Sequence, residues 1–276
     1  MESALYIKSM MIFLLIIIGC FVLSKYVLPV SNVNALKNSD HYFRSCGSSL
    51  TNDKNARYHE LNQTLSIRGI VNLSDYTIAL NPSLILPSSI LTTLPAYSHY
   101  VVELLDLKGR VLAHYPIDII ESTAKVEEWK NIAYISETIP YNPCTTKITL
   151  NKDDKELVSQ VVSPNSPEIK SIKVSNSIGD PRIFPRTGNI SIEWQAQDLD
   201  KDDNLTYFLL YSNNGGHTWP ITIADNIKEN SLTFNASSLP GNSANLSQFR
   251  VFATDGVNTD IRDSNPFSIP ILDMGH

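Results

Sequence analysis

The residues best suited to chemistry are carboxylates. Asp198-Leu-Asp200-Lys-Asp202-Asp203-Asn204 alternates acidic side chains along what reads as a loop between strands, and Asp255 follows in a later Asp-Gly turn. Alternating carboxylates on a loop can converge on Ca²⁺, a hard cation that takes about six to eight oxygen ligands. Asp198, Asp200, Asp202 and Asp255 are therefore the candidate ligands, and Ca²⁺ is the one cofactor the chain suggests. The loop is not an EF-hand: Asp203 stands where that loop needs its turn glycine, and Leu209 where a bidentate Glu closes it. The competing reading is a solvated acidic turn, because Asp and Asn are common turn formers.

Other chemistry is thinly represented. No HExxH, GxSxG, phosphate-loop or CxxC pattern occurs, and His41, His59, His99, His114, His217 and His276 are scattered singly. We assign no catalytic residue and expect a protein that is not an enzyme. A formal net charge of -6, without a cluster of Lys and Arg on any segment, argues against a nucleic-acid partner. Of the three cysteines, Cys20 lies in an apolar run, which leaves Cys46 and Cys144 to form one disulfide or to stay as two unrelated thiols. Such a bridge would close a loop of about a hundred residues and stabilise by roughly 4 to 5 kcal/mol in the chain-entropy picture.

The elements that must position these residues begin with an apolar leader. Met10 to Leu23 is an uncharged run between Lys8 and Lys25. The strict run reaches only about 21 Å of a roughly 30 Å hydrocarbon layer, the length of a signal-peptide core. Apolar character resumes through Val30, and with Lys25 snorkelling the stretch can span a membrane. Residues 1–30 are thus a membrane anchor or a cleaved signal, with Val33-Asn34-Ala35 as a cleavage site; a lipoprotein signal ending at Cys20 is the third possibility. Each alternative places the rest outside the cytoplasm, on the cell membrane or secreted. Residues 31–60 are polar and read as a linker.

From residue 61 the pattern is all-β. In residues 61–164, short apolar or β-branched segments recur between turn signals: Leu65 to Val71, Tyr76 to Leu80, Tyr100 to Leu105, Arg110 to Tyr115, Ile132 to Ile139, Lys147 to Leu150 and Leu157 to Val162. Lys108-Gly109 and Asn151 to Asp154 read as hairpin turns. The Pro-, Ser- and Leu-rich stretch Asn81 to Pro95 is either a contact surface or a long connection tucked over a sandwich end. Ser163-Pro-Asn-Ser-Pro167 marks a boundary, and a second series fills residues 168–272: Ile169 to Val174, Asn189 to Gln195, Leu205 to Tyr211, Trp219 to Ile223, Ser231 to Asn235, Gln248 to Ala253 and Phe267 to Ile271.

In this second series, IEWQAQDLDKDDNLTYFLLYSNNGGHTW, SLPG and FRVFATDGVNTD together resemble the fibronectin type III or immunoglobulin-like modules found near the C-termini of secreted microbial proteases and surface proteins. The resemblance spans about a hundred residues; residues 61–164 are similar, more weakly, to the module that commonly precedes it. It implies two tandem immunoglobulin/fibronectin-III-like β-sandwiches after the N-terminal helix, in an accessory role. Ser247 stands where such modules usually hold a corner tyrosine, so the hydroxyl-to-backbone tie of that corner is expected to be lost. Ser212-Asn-Asn214-Gly-Gly216-His-Thr218-Trp219 resembles a single Asp-box, with Asn214 in the Asp position; one copy implies a structural turn. Sequons begin at Asn62, Asn72, Asn189, Asn204, Asn235 and Asn245, where about four are expected by chance, so they permit glycosylation without showing it.

The expected function is non-enzymatic binding or adhesion at the cell surface, toward a protein, matrix or glycan partner, with membrane contact through the N-terminal helix. A structural spacer of the envelope is the alternative, and an unrecognised secreted hydrolase the third. Binding predicts an exposed apolar or aromatic patch on loops such as Leu84 to Leu94; a spacer predicts featureless polar faces.

Overall fold

The structure is a computed structural model that describes residues 63–87, 91–123, 130–176, 184, 188–200 and 204–270. The expected leader and linker, Cys20, Cys46, Asn62 and Asp202 lie outside the described residues. Among the described residues no helix is long and apolar enough to cross a membrane.

The described chain is all-β. Nine strands precede Ser163: β1 (Gln63–Asn72), β2 (Ile78–Leu80), β3 (Leu84–Pro87), β4 (Tyr100–Leu105), β5 (Val111–Ile117), β6 (Ile120–Glu121), β7 (Ile132–Pro140), β8 (Lys147–Lys152) and β9 (Lys155–Val161). Eight follow: β10 (Glu168–Asn176), β11 (Asn189–Gln197), β12 (Thr206–Ser212), β13 (Ile221–Ile227), β14 (Ser231–Asn235), β15 (Asn242–Thr254), β16 (Thr259–Asp263) and β17 (Phe267–Ile269). They form four antiparallel sheets, in orders β2-β1-β7-β6 with β3 also on β1, β5-β4-β8-β9, β10-β11-β14, and β13-β12-β15-β16 with β17 also on β15.

Period-2 alternation sets the two main cores. In β1, Leu65, Ile67 and Val71 face inward and join Ile135 and Ile139 of β7 with Val102, Leu104, Ile148 and Leu150 of the β5-β4-β8-β9 sheet. Gly69 occupies the same inward row because a Cβ there would lie 2.8 Å from the Ala79 carbonyl and 2.9 Å from the Leu80 side chain, blocking β2. In the second half, Ile190, Ile192 and Trp194 of β11 meet Tyr207, Leu209 and Tyr211 of β12 and Phe249, Val251 and Ala253 of β15. The turn expected over Asn151 to Asp154 is narrower, a two-residue hairpin loop of Asp153 and Asp154 with φ of 47° and 63°, and Lys152 stands opposite Lys155.

The expectation of two separately packed units needs an amendment. Leu84 and Leu86 of β3 form a third buried cluster with Phe208 and Leu210 of β12, Trp219, Phe252 of β15 and Ile261 of β16. Val257 belongs to the first core. Backbone bonds stitch the same seam: Ser83 N–H donates to the Gly256 carbonyl at 2.8 Å and Ile85 N–H to the Val257 carbonyl at 3.2 Å. Leu84 to Leu94, offered above as a possible contact surface, thus begins as a strand on β1 whose outer leucines are only 2% and 4% exposed.

Arg68 of β1 reaches Asp225 of β13 across this seam at 3.8 Å, beyond hydrogen-bond distance, and lies 5.3 Å from the Phe208 ring centroid. Burial pushes the Asp225 carboxyl up, and the Arg68 charge opposes that rise.

Candidate functional site

Two segments that looked chemical serve the fold. Both oxygens of Asp200 receive the linking segment Ser163 to Pro167 between β9 and β10, Asn165 donating its backbone N–H at 2.9 Å and its Nδ2 at 2.7 Å. Asp255 Oδ1 accepts from the N–H groups of Val257 and Asn258, and its Oδ2 accepts from Ser163 Oγ at 2.5 Å and Asn258 Nδ2 at 2.9 Å. Asn258 Nδ2 also reaches the carbonyls of Ser163 and Asn165. Asp198 sits beside this clasp: its Oδ1 accepts the Asp200 N–H, and its Oδ2 is buried without a hydrogen bond among the described residues. Partial burial and the charges of Asp255 and Asp200 raise its pKa. The structure thus brings together three of the four proposed calcium ligands, with Asp202 outside the described residues. Two of the three already hold this linking segment through Ser163 and Asn165, and among the described residues no group of three or more His, Cys, Asp or Glu is placed to hold a metal.

The Asp-box-like segment is a tight turn. Ser212 Oγ accepts the Gly216 N–H at 3.0 Å, while Asn214 Oδ1 accepts the Thr218 N–H at 3.0 Å and its Nδ2 donates to Thr218 Oγ1 at 2.7 Å. Asn214 therefore orders its own turn through both ends of its amide. The turn delivers Trp219 into the seam, under the Arg250 guanidinium at 4.2 Å, which Asp263 fixes by two bonds of 2.6 and 2.8 Å.

Cys144, at the loop between β7 and β8, is disulfide-bonded. Its expected partner, Cys46, lies outside the described residues.

Beside Ser247 of β15, Tyr211 on the adjacent strand donates its hydroxyl to the Pro240 carbonyl at 2.8 Å and lies 2.9 Å from Ser247 Oγ. A hydroxyl-to-backbone tie is thus made here from the neighbouring strand.

The side chains best placed for an external contact gather where β1 ends, β4 begins and β8 turns into β9. Lys152 Nζ lies 3.5 Å from the centroid of Tyr76 and 5.9 Å from that of Tyr100. The Tyr76 hydroxyl holds the Lys152 ammonium above its ordinary pKa. The next residue, Asp153, pairs with His99 Nδ1 at 2.5 Å, and His99 packs edge-on against Tyr97 at 5.6 Å. Tyr97 is 75% exposed and Tyr76 41% exposed. Turn chemistry builds this end: Asp75 Oδ1 accepts the Thr77 N–H and hydroxyl, and Tyr76 adopts a φ of 59°. The chain enters β1 and leaves β9 at the opposite end of these strands, because Gln63 pairs beside Pro140 and Val161 beside Lys147.

The sequence reading missed this cluster, although its signal was available. Tyr76 and Tyr97 follow turn formers, in Asp75-Tyr76 and Pro95-Ala-Tyr97-Ser, where no core requires them. No protein-family pattern matches the chain, and no curated protein matches it.

Proposed function

We propose that the chain is an exported, non-enzymatic binding or adhesion protein whose contact surface is the Tyr76–Tyr97–His99–Lys152–Asp153 end. In this reading, each pair of facing sheets is a β-sandwich of the fibronectin type III or immunoglobulin kind. The N-terminal apolar run exports or anchors them at the cell surface. The partner is a surface protein, matrix component or glycan.

The observation that carries the reading is the exposure of Tyr97 and Tyr76 on loop tips, tied by the His99–Asp153 hydrogen bond and a cation–π contact. Tyrosine offers a large amphipathic contact area with few rotatable bonds, and recognition surfaces favour it for that reason. The position adds support, since this end points away from where the chain enters and leaves the first half. The buried seam between halves favours the spacer as a second reading, because it fixes their relative orientation.

A photo-crosslinking phenylalanine analogue at position 97, in the full-length chain on its own cells, separates the two. Binding gives a discrete covalent adduct at 97 that a Tyr76→Ala, Lys152→Ala background removes and that the same probe at Glu193 does not give. A spacer gives no adduct at 97.

A further inference from the structure

We propose that Asn72, Asn204, Asn245 and one of the paired Asn189 and Asn235 are acceptors for N-linked oligosaccharide, so that glycan coats the second half and borders the tyrosine-rich end of the first. This rests on the reading of the chain as exported.

A sequon becomes a modification site only where its asparagine can be reached, and each of these five side chains is exposed. The atom that must react is Nδ2, and in none of the five does it hydrogen-bond within the described protein. Asn72 and Asn235 use only Oδ1, each accepting the N–H of its own sequon serine, Ser74 and Ser237, at 2.9 Å. That Asx turn leaves Nδ2 as the outward atom. Asparagines that build the fold behave oppositely: Asn151, Asn165, Asn214, Asn242 and Asn258 all donate Nδ2 to a protein oxygen. None of these stands in a sequon.

The acceptors also lie away from strand centres: at strand ends, as Asn72, Asn189 and Asn235, before β12, as Asn204, or on the irregular start of β15, as Asn245 at a φ of 55°. Asn189 and Asn235 are direct partners across β11 and β14, so their Cβ atoms are about 5 Å apart and one oligosaccharide shields the other site. Asn72 shares its turn with Tyr76, whose N–H donates to the Asn72 carbonyl at 2.8 Å.

The co-reactant is a lipid-phosphate-linked oligosaccharide. Asparagine Nδ2 attacks the anomeric carbon, the C1–N bond forms as the C1–O bond to phosphate breaks, and the amide proton leaves to base. Nothing is oxidised or reduced.

The test uses the full chain from its own cells. Protease shaving of intact cells establishes exposure, and peptide mass mapping then reads each sequon. We expect sugar-sized mass additions at Asn72, Asn204 and Asn245 and at one member of the Asn189/Asn235 pair, each lost in the matching Asn→Gln variant. A surface-exposed chain whose five sequon peptides all carry their unmodified mass overturns the proposal. A chain shielded from protease in intact cells overturns the export reading, and this proposal with it.

Discussion

Tyr211 Oη lies 2.9 Å from Ser247 Oγ while donating to the Pro240 carbonyl at 2.8 Å, joining β12, the segment before β15 and β15 itself through one phenol. Tyr211 and Ser247 are both fully buried, so neither hydroxyl has water as a substitute. Tyr211→Phe keeps the ring packing and removes the bond. It should cost about 1 to 3 kcal/mol in urea unfolding of the full chain, the range for stranding a buried polar partner. Ser247→Ala should cost less, because Tyr211 retains Pro240, and the double variant should cost less than the sum. Strict additivity would show that the two hydroxyls do not act as one unit.

The seam predicts coupled unfolding. Leu86→Ala, made in the first half, should destabilise by about 2 to 5 kcal/mol, the range for a fully buried leucine. By hydrogen exchange, protection should fall in β12 and β15 as well as in β1. Loss confined to β1 and β3 would mean that the halves fold apart.

The ion pair across that seam is a second lever on it. Arg68→Leu leaves Asp225 buried without its compensating charge and should cost about 3 to 5 kcal/mol, whereas Arg68→Leu with Asp225→Leu should recover most of the loss. Equal destabilisation in the single and double variants, measured by chemical denaturation, would remove the charge argument.

Glu137 gives a pH signature. It is 6% exposed, its Oε2 has no hydrogen bond among the described residues, and burial raises its pKa, with a Thr92 hydrogen bond opposing the rise and the Asp118 charge adding to it. The folded state therefore holds this proton more tightly than the unfolded state. Its contribution is fully present below the ordinary Glu value of 4.5 and is lost as pH rises through the elevated folded value. Glu137→Gln should flatten the decline in melting temperature over that window. An unchanged slope would mean that Glu137 ionises freely in the folded protein.

Calcium can be checked on the same material. Asp200 and Asp255 already bind Asn165, Ser163 and Asn258, so melting of the full chain in millimolar Ca²⁺ and in chelator should coincide. A midpoint raised by Ca²⁺ would restore a metal role to the Asp198 to Asp202 loop. Asp200→Ala should lower the midpoint in either buffer by releasing the linker.

The sequence by itself determined the all-β character and most strand positions. Period-2 alternation in Leu65 to Val71 or Ile190 to Trp194 records which face meets a core, and Gly, Pro and Asn mark the turns; both are local signals. Ser231 to Asn235 emerged at its predicted limits. Leu84–Pro87 and Thr259–Asp263 did not, the first because its prolines read as loop and the second because its residues are mostly polar. The first is a strand through pairing with β1, and the second through closing a hairpin with the end of β15. Tyr207 to Tyr211 carried a half-legible sign, apolar residues on both strand faces, but what covers the second face is Leu84 and Leu86, more than a hundred residues away. Only tertiary structure decided that the acidic loop clasps the segment Ser163 to Asn165, that Tyr211 binds the Pro240 carbonyl, and that Tyr76, Tyr97 and Lys152 meet at one end. Each depends on the three-dimensional meeting of segments whose sequences carry no record of one another.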